Sequence, residues 1–188
     1  MSDPVSALSG ARFEGIAKVE EAGLCGMITL RGDFASAGFA AAVKAATGAD
    51  LPATGRIAEG TDGAAAWMSP DELLLMVPHP EVNTRPAVLT EALSGEHALA
   101  VNVSDARAVF RISGDGARET LAKVAPVDLS AAAFKAGDFR RTRMAQVAGA
   151  FWLNGEGTLT VVCFRSVGEY MFKLLSAAAH RQSAVGVY

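Results

Sequence analysis

Apolar residues in the first half of the chain follow strand and helix spacings in turn. Alternation over 24–31 predicts a strand, and apolar residues at helical spacing from Phe39 to Ala46 predict a helix that opens at Asp33 and closes at Gly48. The pattern continues with two strands joined by a tight turn, a second helix and one more strand: 64–68, 72–77, 83–93 and 99–103.

The same order begins again at Ala106. Val109–Asp115 lines up with Ile28–Asp33 as a strand that ends in Gly-Asp and leads into a helix. A Trp-bearing strand precedes a second apolar strand in both halves, at Trp67 and at Trp152. The order β-α-β-β-α-β is that of the split βαβ, or ferredoxin-like, unit, and its last strand is visible only in the first half.

These patterns predict an α+β fold made of two tandem split βαβ halves with pseudo-symmetry. We expect residues 1–22 to be an N-terminal lead-in and residues 23–188 to be one domain of two repeats, 23–105 and 106–188. Only Asn102–Asp105 intervenes between the repeats, and this stretch has no linker composition. The two halves are therefore expected to form one compact body.

Composition and charge exclude several partners. With 51% hydrophobic residues the chain can build a core, and a net charge of -3 provides no positive field for nucleic acid. The N-terminus does not resemble an export signal, and the longest apolar runs fall far short of the ~20 residues that cross a bilayer. Cys25 and Cys163 form no paired motif, which suits reduced thiols. We therefore expect a cytoplasmic protein without nucleic acid or membrane partners.

The sequence contains few candidates for a catalytic motif. Gly114-Asp115-Gly116 begins like a dinucleotide fingerprint, but Glu119 occupies the place of the third glycine. The sequence contains no phosphate loop, His-Glu-x-x-His zinc motif or Gly-x-Ser-x-Gly elbow. We therefore predict no catalytic, cofactor-binding or metal-binding residue on this chain.

Single reactive residues also have structural explanations. The three histidines lack a partner at ligand spacing, both cysteines have apolar neighbours that suit core packing, and Asp33 and Asp115 are interpreted as helix caps rather than paired carboxylates. The histidines are His79, His97 and His180.

One basic cluster and one tryptophan are candidates for an interface. Arg140 and Arg143 enter a long predicted strand that ends at Leu153, and alternation would place Arg141 and Arg143 on the face of Val147, Phe151 and Leu153. Either the arginines lie at a solvated strand end, or Arg143 forms a bidentate ion pair with a carboxylate. That carboxylate would be Asp128, Asp105 or one on another chain. Trp152 is either a core residue or an interface anchor. We predict Arg140, Arg143 and Trp152 as interface residues.

Several stretches resemble the gamma subunit family of heterotetrameric sarcosine oxidase. The similarity is good over 98–179, looser over 23–93 and absent from the first twenty residues. The stretches that carry it are Val101–Gly114, Asp128-Leu129-Ser130 with Phe134 and Gly137, Thr142–Val147 and Phe164–Tyr170.

This resemblance implies a subunit of a bacterial enzyme that oxidatively demethylates sarcosine to glycine, with formaldehyde or 5,10-methylenetetrahydrofolate and hydrogen peroxide as further products. It implies alpha, beta and delta subunits as partners. FAD, FMN, NAD and tetrahydrofolate are expected on the alpha and beta chains, with none on this one. It also implies a fold similar to the folate-binding domain of aminomethyltransferases.

Two functions of different classes follow. The first is a non-catalytic gamma subunit that serves structure and assembly, which agrees with the lack of any metal, nucleotide or nucleophile pattern in the sequence. The alternative is a stand-alone folate-binding or aminomethyltransferase-like protein, although acidic and aromatic residues are scarce at the places where that fold holds folate. A third, weaker possibility is a free-standing scaffold outside amine metabolism.

Overall fold

The structure is a computed structural model that describes residues 3–188; Met1 and Ser2, the first residues of the predicted lead-in, lie outside the described residues. The chain divides into two compact units. The central unit is Leu24–Asp105, and the terminal unit comprises the described residues through Gly23 together with Ala106–Tyr188. Each unit contains one antiparallel sheet and two α-helices, which confirms the predicted α+β class.

The strands and α-helices of the described chain follow one another in the order β1 (Arg12–Glu14), β2 (Lys18–Glu21), β3 (Gly26–Arg31), α1 (Ala37–Thr47), β4 (Ile57–Glu59), β5 (Ala64–Ser69), β6 (Glu72–Val77), α2 (Arg85–Ala92), β7 (Leu99–Asn102), β8 (Arg107–Ser113), α3 (Ala117–Ala122), β9 (Phe139–Met144), β10 (Val147–Leu153), β11 (Leu159–Phe164) and α4 (Gly168–Ala178).

The central sheet has the order β4-β5-β6-β3-β7. Its first strand β3 lies between β6 and β7, and β5 and β6 form the predicted hairpin. This is the strand arrangement of a split βαβ unit, in which the first and third strands are neighbours. β4 is an added edge strand that the hydrophobic pattern did not predict.

The terminal sheet has the order β1-β2-β8-β11-β10-β9. Here β8 lies between β11 and β2, so β2 takes the place that β7 holds beside β3. The fourth strand, missing from the second half of the sequence, is thus supplied by the N-terminal segment. The predicted lead-in contains two strands that the pattern missed because β1 and β2 have only three and four residues.

The core of each unit lies between its sheet and its helices. In the central unit the predicted stripe of α1 is buried against β3 and β6, together with Leu89 and Leu93 from the second helical segment. In the terminal unit β8, β10 and β11 pack against α3 and α4 through residues such as Phe110, Phe151 and Met171.

The predicted helix caps are only partly correct. Gly48 closes α1 with a φ of 72°, a left-handed conformation that glycine adopts without a Cβ clash. The N-cap of α1 is Ser36, whose Oγ accepts from the Phe39 amide, and not Asp33, which accepts from the Ala35 amide in the preceding turn. The N-cap position of α3 is Gly116, so the assignment of Asp115 as its cap is also wrong.

Candidate functional site

The three predicted interface residues lie on one hairpin, β9–β10, at the edge of the terminal sheet. The sequence predicted one long strand here, but the chain reverses between Met144 and Val147, which pair across the turn. Ala145 at the turn has a φ of 49°, and its amide donates to the Val124 carbonyl at 2.8 Å. The long strand is therefore two strands.

This reversal changes which face each arginine occupies. Residues that pair directly across antiparallel strands share a face, and Arg143 pairs with Ala148 while Arg140 pairs with Phe151. Phe151 belongs to the helix-side core, so Arg140 lies on that side and Arg143 on the opposite one. The prediction that Arg141 and Arg143 share the face of Phe151 is wrong, because the turn breaks the alternation on which it rested.

The Trp152 ring lies in the interior on the face opposite the helices. Only 6% of the residue is exposed, and its ring stacks on that of Phe139 with centroids 6.1 Å apart and an interplanar angle of 25°. Phe139 is the residue that pairs with Trp152 across the hairpin. The tryptophan therefore joins the two strands of the hairpin.

Arg140 and Arg143 occupy different environments. The Arg140 guanidinium carbon lies 5.7 Å from the centroid of the Phe134 ring, and its Nη1 donates to the Phe139 carbonyl at 2.8 Å. Arg143 is exposed, and its Nη2 donates to Oε1 of Gln146 at 3.3 Å. Arg143 is thus the candidate whose charge faces solvent.

Asp128, a carboxylate considered for Arg143, has a local role instead. Its Oδ1 accepts from the Ser130 amide at 2.9 Å, and hydrogen bonds from the Ser130 backbone and side chain hold the pKa of Asp128 below its usual value. The carboxylate fixes the turn that begins the segment between α3 and β9.

Arg118 braces the same segment and was missed in the sequence. Its Nη1 donates to the carbonyls of Leu129 and Phe134, at 2.5 and 3.0 Å. The Phe134 ring is buried beside that of Phe151, with centroids 5.4 Å apart. This segment contains Leu129 and Phe134, which belong to the stretches that carry the family resemblance. The Arg118 side chain of α3 and the packing of the Phe134 ring hold it in place.

Two buried carboxylates bind the terminal segments of the chain. Glu21 accepts from the Ser6 hydroxyl and from the amides of Leu8 and Gly10, at 3.0, 2.9 and 2.7 Å. Its burial is balanced by these three donors, since an unpaired buried carboxylate would cost much free energy.

Glu119 does the same for the C-terminal segment. It accepts from the amides of Val185 and Gly186, at 2.7 and 2.8 Å, and pairs with Lys123 Nζ at 2.8 Å. Its hydrogen bond with Lys123, followed by those from the two amides, lowers the pKa of Glu119 to about 2. No sequence motif signalled either carboxylate, because the partners are mostly backbone amides far along the chain.

Cys163 in β11 pairs with Gly149 of this hairpin, whereas the other cysteine and the histidines lie outside β9 and β10. Cys163 is buried, and desolvation raises its pKa to about 11, which disfavours the thiolate that a nucleophile requires. His97 and His180 are exposed, and Nδ1 of His180 accepts from the Gln182 amide at 3.2 Å.

Within 3–188, no group of three or more His, Cys, Asp or Glu side chains is placed to hold a metal ion. No helix in the same range is both long and apolar enough to cross a membrane.

The fold has solved relatives. The glycine cleavage system aminomethyltransferase T from Bartonella henselae superposes with a TM-score of 0.63 at 12% identity, over 86% of this chain and 46% of that one. At this identity the likeness shows the fold alone. The chain is therefore an α+β protein of the aminomethyltransferase fold class.

The family model for sarcosine oxidase, gamma subunit, matches residues 31–181, and the chain belongs to that family. A sarcosine oxidase subunit gamma from Corynebacterium sp. (strain P-1) is 31% identical over 87% of this chain and 80% of its own length. Another, from Arthrobacter sp., is 35% identical over 62% of this chain, and the match spans 57% of that relative.

A solved structure agrees with this assignment. One chain of heterotetrameric sarcosine oxidase from Corynebacterium sp. U-96, in complex with pyrrole 2-carboxylate, superposes with a TM-score of 0.81 at 28% identity. The superposition covers 94% of this chain and 91% of that one. The family resemblance noted in the sequence is confirmed.

Proposed function

We propose that this chain is the non-catalytic gamma subunit of a heterotetrameric sarcosine oxidase and serves its structure and assembly. The assembled enzyme would demethylate sarcosine oxidatively to glycine. The observation that carries the proposal is the nearly complete superposition on one chain of a heterotetrameric sarcosine oxidase, at a TM-score of 0.81.

The partners in this proposal are alpha, beta and delta subunits. FAD, FMN, NAD and tetrahydrofolate would be held by the alpha and beta chains, with none on this one. The contacts of Glu21, Glu119 and Arg118 support a structural role for this chain, because each of these charged side chains binds a distant segment of the chain itself.

Arg140, Arg143 and Trp152 remain our proposed interface residues, and the exposed Arg143 is the simplest to test. Arg143→Glu should reduce the amount of this chain that co-purifies with the other subunits, because reversing the charge opposes a carboxylate on the partner. Lys173→Glu on the exposed side of α4 is the control, since Lys173 is exposed and its Nζ donates to Oε1 of Glu169 in its own helix. Equal recovery of both variants would exclude Arg143 from the interface.

Calorimetric titration of the isolated chain with tetrahydrofolate and with FAD tests the non-catalytic role. A chain whose cofactors are held by its partners should release no binding heat with either compound at micromolar concentration. Clear micromolar heat with tetrahydrofolate would contradict the proposal and favour a stand-alone folate-binding protein.

A further inference from the structure

Strand β7 forms an open edge of the central sheet. Among the described strands it pairs with β3 alone, and the Val103 amide donates to the Met27 carbonyl at 2.8 Å just beyond the strand. In an antiparallel ladder, alternate residues bond inward and outward, so the N–H and C=O groups of Ala100 and Asn102 point away from β3. Among residues 3–188 these four groups have no hydrogen-bond partner. The edge can therefore accept another strand.

Two apolar side chains along this edge are exposed. Leu99 is 54% exposed and Val101 41% exposed, and both lie on the same face of β7. The strand reads Leu-Ala-Val-Asn and contains no charge or proline, features by which edge strands usually avoid pairing with other chains. An edge strand without these features can pair with a strand of another chain.

In the terminal unit, the strand equivalent to β7 is β2, and its outer edge is covered by another strand. If the units are aligned on the Gly-Asp pair that follows β3 and β8, Lys18 and Glu20 of β2 correspond to Leu99 and Val101. Lys18 and Glu20 form an ion pair at 2.5 Å, and β1 covers the outer edge of β2. The central unit has apolar residues at these positions and no strand in the place of β1.

Two cavities lie beside β7. On the helix side, a cavity of about 180 Å³ has an apolar part formed by Leu89, Leu93, Ala98 and Ala100 and a polar part formed by Thr90, Ser94 and Glu96. At the start of β7, an open groove of about 750 Å³ is lined by Leu99 and by polar residues that include Arg31, Asp33, Asp71 and His97. Successive side chains of a strand point to opposite faces, so a strand added along β7 would direct alternate side chains toward the helix-side cavity and toward the face of Leu99.

We propose that the outer edge of β7 binds an extended segment of another subunit, which adds to the central sheet as β1 adds to β2. The inference rests on the proposed function and specifies a surface that the complex would use. The bound segment is uncharged where it meets Leu99 and Val101, and it places an aliphatic side chain in the cavity beside Leu89 and Ala100. Backbone hydrogen bonds provide the affinity, and the helix-side cavity and the face of Leu99 select the sequence.

Hydrogen exchange tests this addition directly. The amides of Ala100 and Asn102 should exchange about 100-fold more slowly in the assembled complex than in the isolated chain, because strand addition gives both a carbonyl acceptor. Unchanged exchange at these amides in an intact complex that contains this chain would overturn the inference.

Two variants test the same surface by assembly. Val101→Lys puts a charge against the added strand, and Ala100→Pro removes an outward N–H that the fold itself does not use. Either should reduce the fraction of this chain recovered with the other subunits about tenfold. Val101→Thr, which stays β-branched and uncharged, should be recovered like the wild type, and the thermal midpoint of each isolated variant reports its folding.

The outcomes separate the two proposals. If the wild-type chain does not enter a complex with the other subunits, the proposed function fails. If the wild type enters and folded Val101→Lys enters equally well, only the inference about β7 fails. If Val101→Lys instead abolishes self-association of the isolated chain and leaves recovery in the complex unchanged, the occupant is a second copy and the inference is overturned.

Discussion

Glu21 and Glu119 are buried carboxylates that accept hydrogen bonds from backbone amides in the two terminal segments of the described chain. Glu21 binds residues between Ser6 and Gly10, and Glu119 binds Val185 and Gly186. Hydrogen bonds to a charged group contribute more than neutral ones, and losing one partner leaves the other unsatisfied. At the scale of single residues, these charges stabilise the fold.

The pKa of Glu119 leads to a prediction about pH. Because its folded value of about 2 lies below the ordinary 4.5, the ionised carboxylate stabilises the folded state above about pH 4.5, and this contribution is lost as the pH falls toward 2. Glu119→Gln should therefore lower the urea midpoint at pH 7, and the difference from wild type should shrink by about half or more at pH 3.

Urea unfolding of both proteins from pH 7 to pH 3 measures this difference. Glu169→Gln is the control, because Glu169 also pairs with a lysine four residues away but is exposed, and such pairs contribute little. A Glu119→Gln variant as stable as the wild type at pH 7, or a difference that does not change with pH, would contradict the assignment.

At the scale of elements, sequence reasoning succeeded where the pattern was long and failed where it was short. The apolar stripe of α1 was predicted because several apolar residues recur there at helical spacing. The β5–β6 hairpin was predicted because a Ser-Pro-Asp turn joins its two strands. β1, β2 and β4 have three or four residues each, too few to show a period. The β9–β10 turn contains Ala145 and Gln146, without the Gly, Asn or Asp that usually marks a hairpin.

The candidate site follows the same rule. The sequence placed Arg140, Arg143 and Trp152 along one long strand, whereas the structure places them on two paired strands, because both their spacing and their faces depended on the unmarked turn. Glu119 and Arg118 could not be predicted as ties, since their partners are main-chain groups and any residue type can supply these. Only the folded backbone brings such groups together.

The β1–β2 hairpin provides a prediction at this scale. A Cβ added at Gly15, in the turn between these strands, would lie 1.8 Å from the carbonyl oxygen of Ala179, so the turn would have to move. Gly15→Ala should lower the thermal midpoint by about 5 °C, as overpacking by roughly 2 kcal/mol does in a chain of this size.

Thermal unfolding of the Gly15→Ala and Gly155→Ala variants provides the comparison. Gly155 also lies in a turn of the terminal unit, but a Cβ there meets no atom within 4 Å. Its variant should unfold within about 1 °C of wild type. If Gly15→Ala unfolds at the wild-type temperature, the N-terminal hairpin does not stabilise the terminal unit as described.

At the scale of the whole molecule, the repeats of the sequence correspond to two units with equivalent sheets. The terminal unit completes its sheet with β2 from the N-terminal segment, so it is made of two separate stretches of chain that enclose the central unit in sequence. A unit of this kind can form only after the central unit has been synthesised.

That residues 23–188 fold as one domain stays a prediction, and calorimetry tests it. We expect a single transition whose calorimetric and van't Hoff enthalpies agree, as two-state unfolding requires. Two resolved transitions, or a calorimetric enthalpy well above the van't Hoff value, would show that the units unfold separately.

The proposed structural role of this chain is tested most directly by leaving it out. The alpha, beta and delta subunits are co-expressed with and without it, and sarcosine-dependent hydrogen peroxide production is measured on the purified flavoprotein complex. We predict that the complex forms and is fully active only when this chain is present. A fully active, flavin-containing complex that purifies without it would contradict the account.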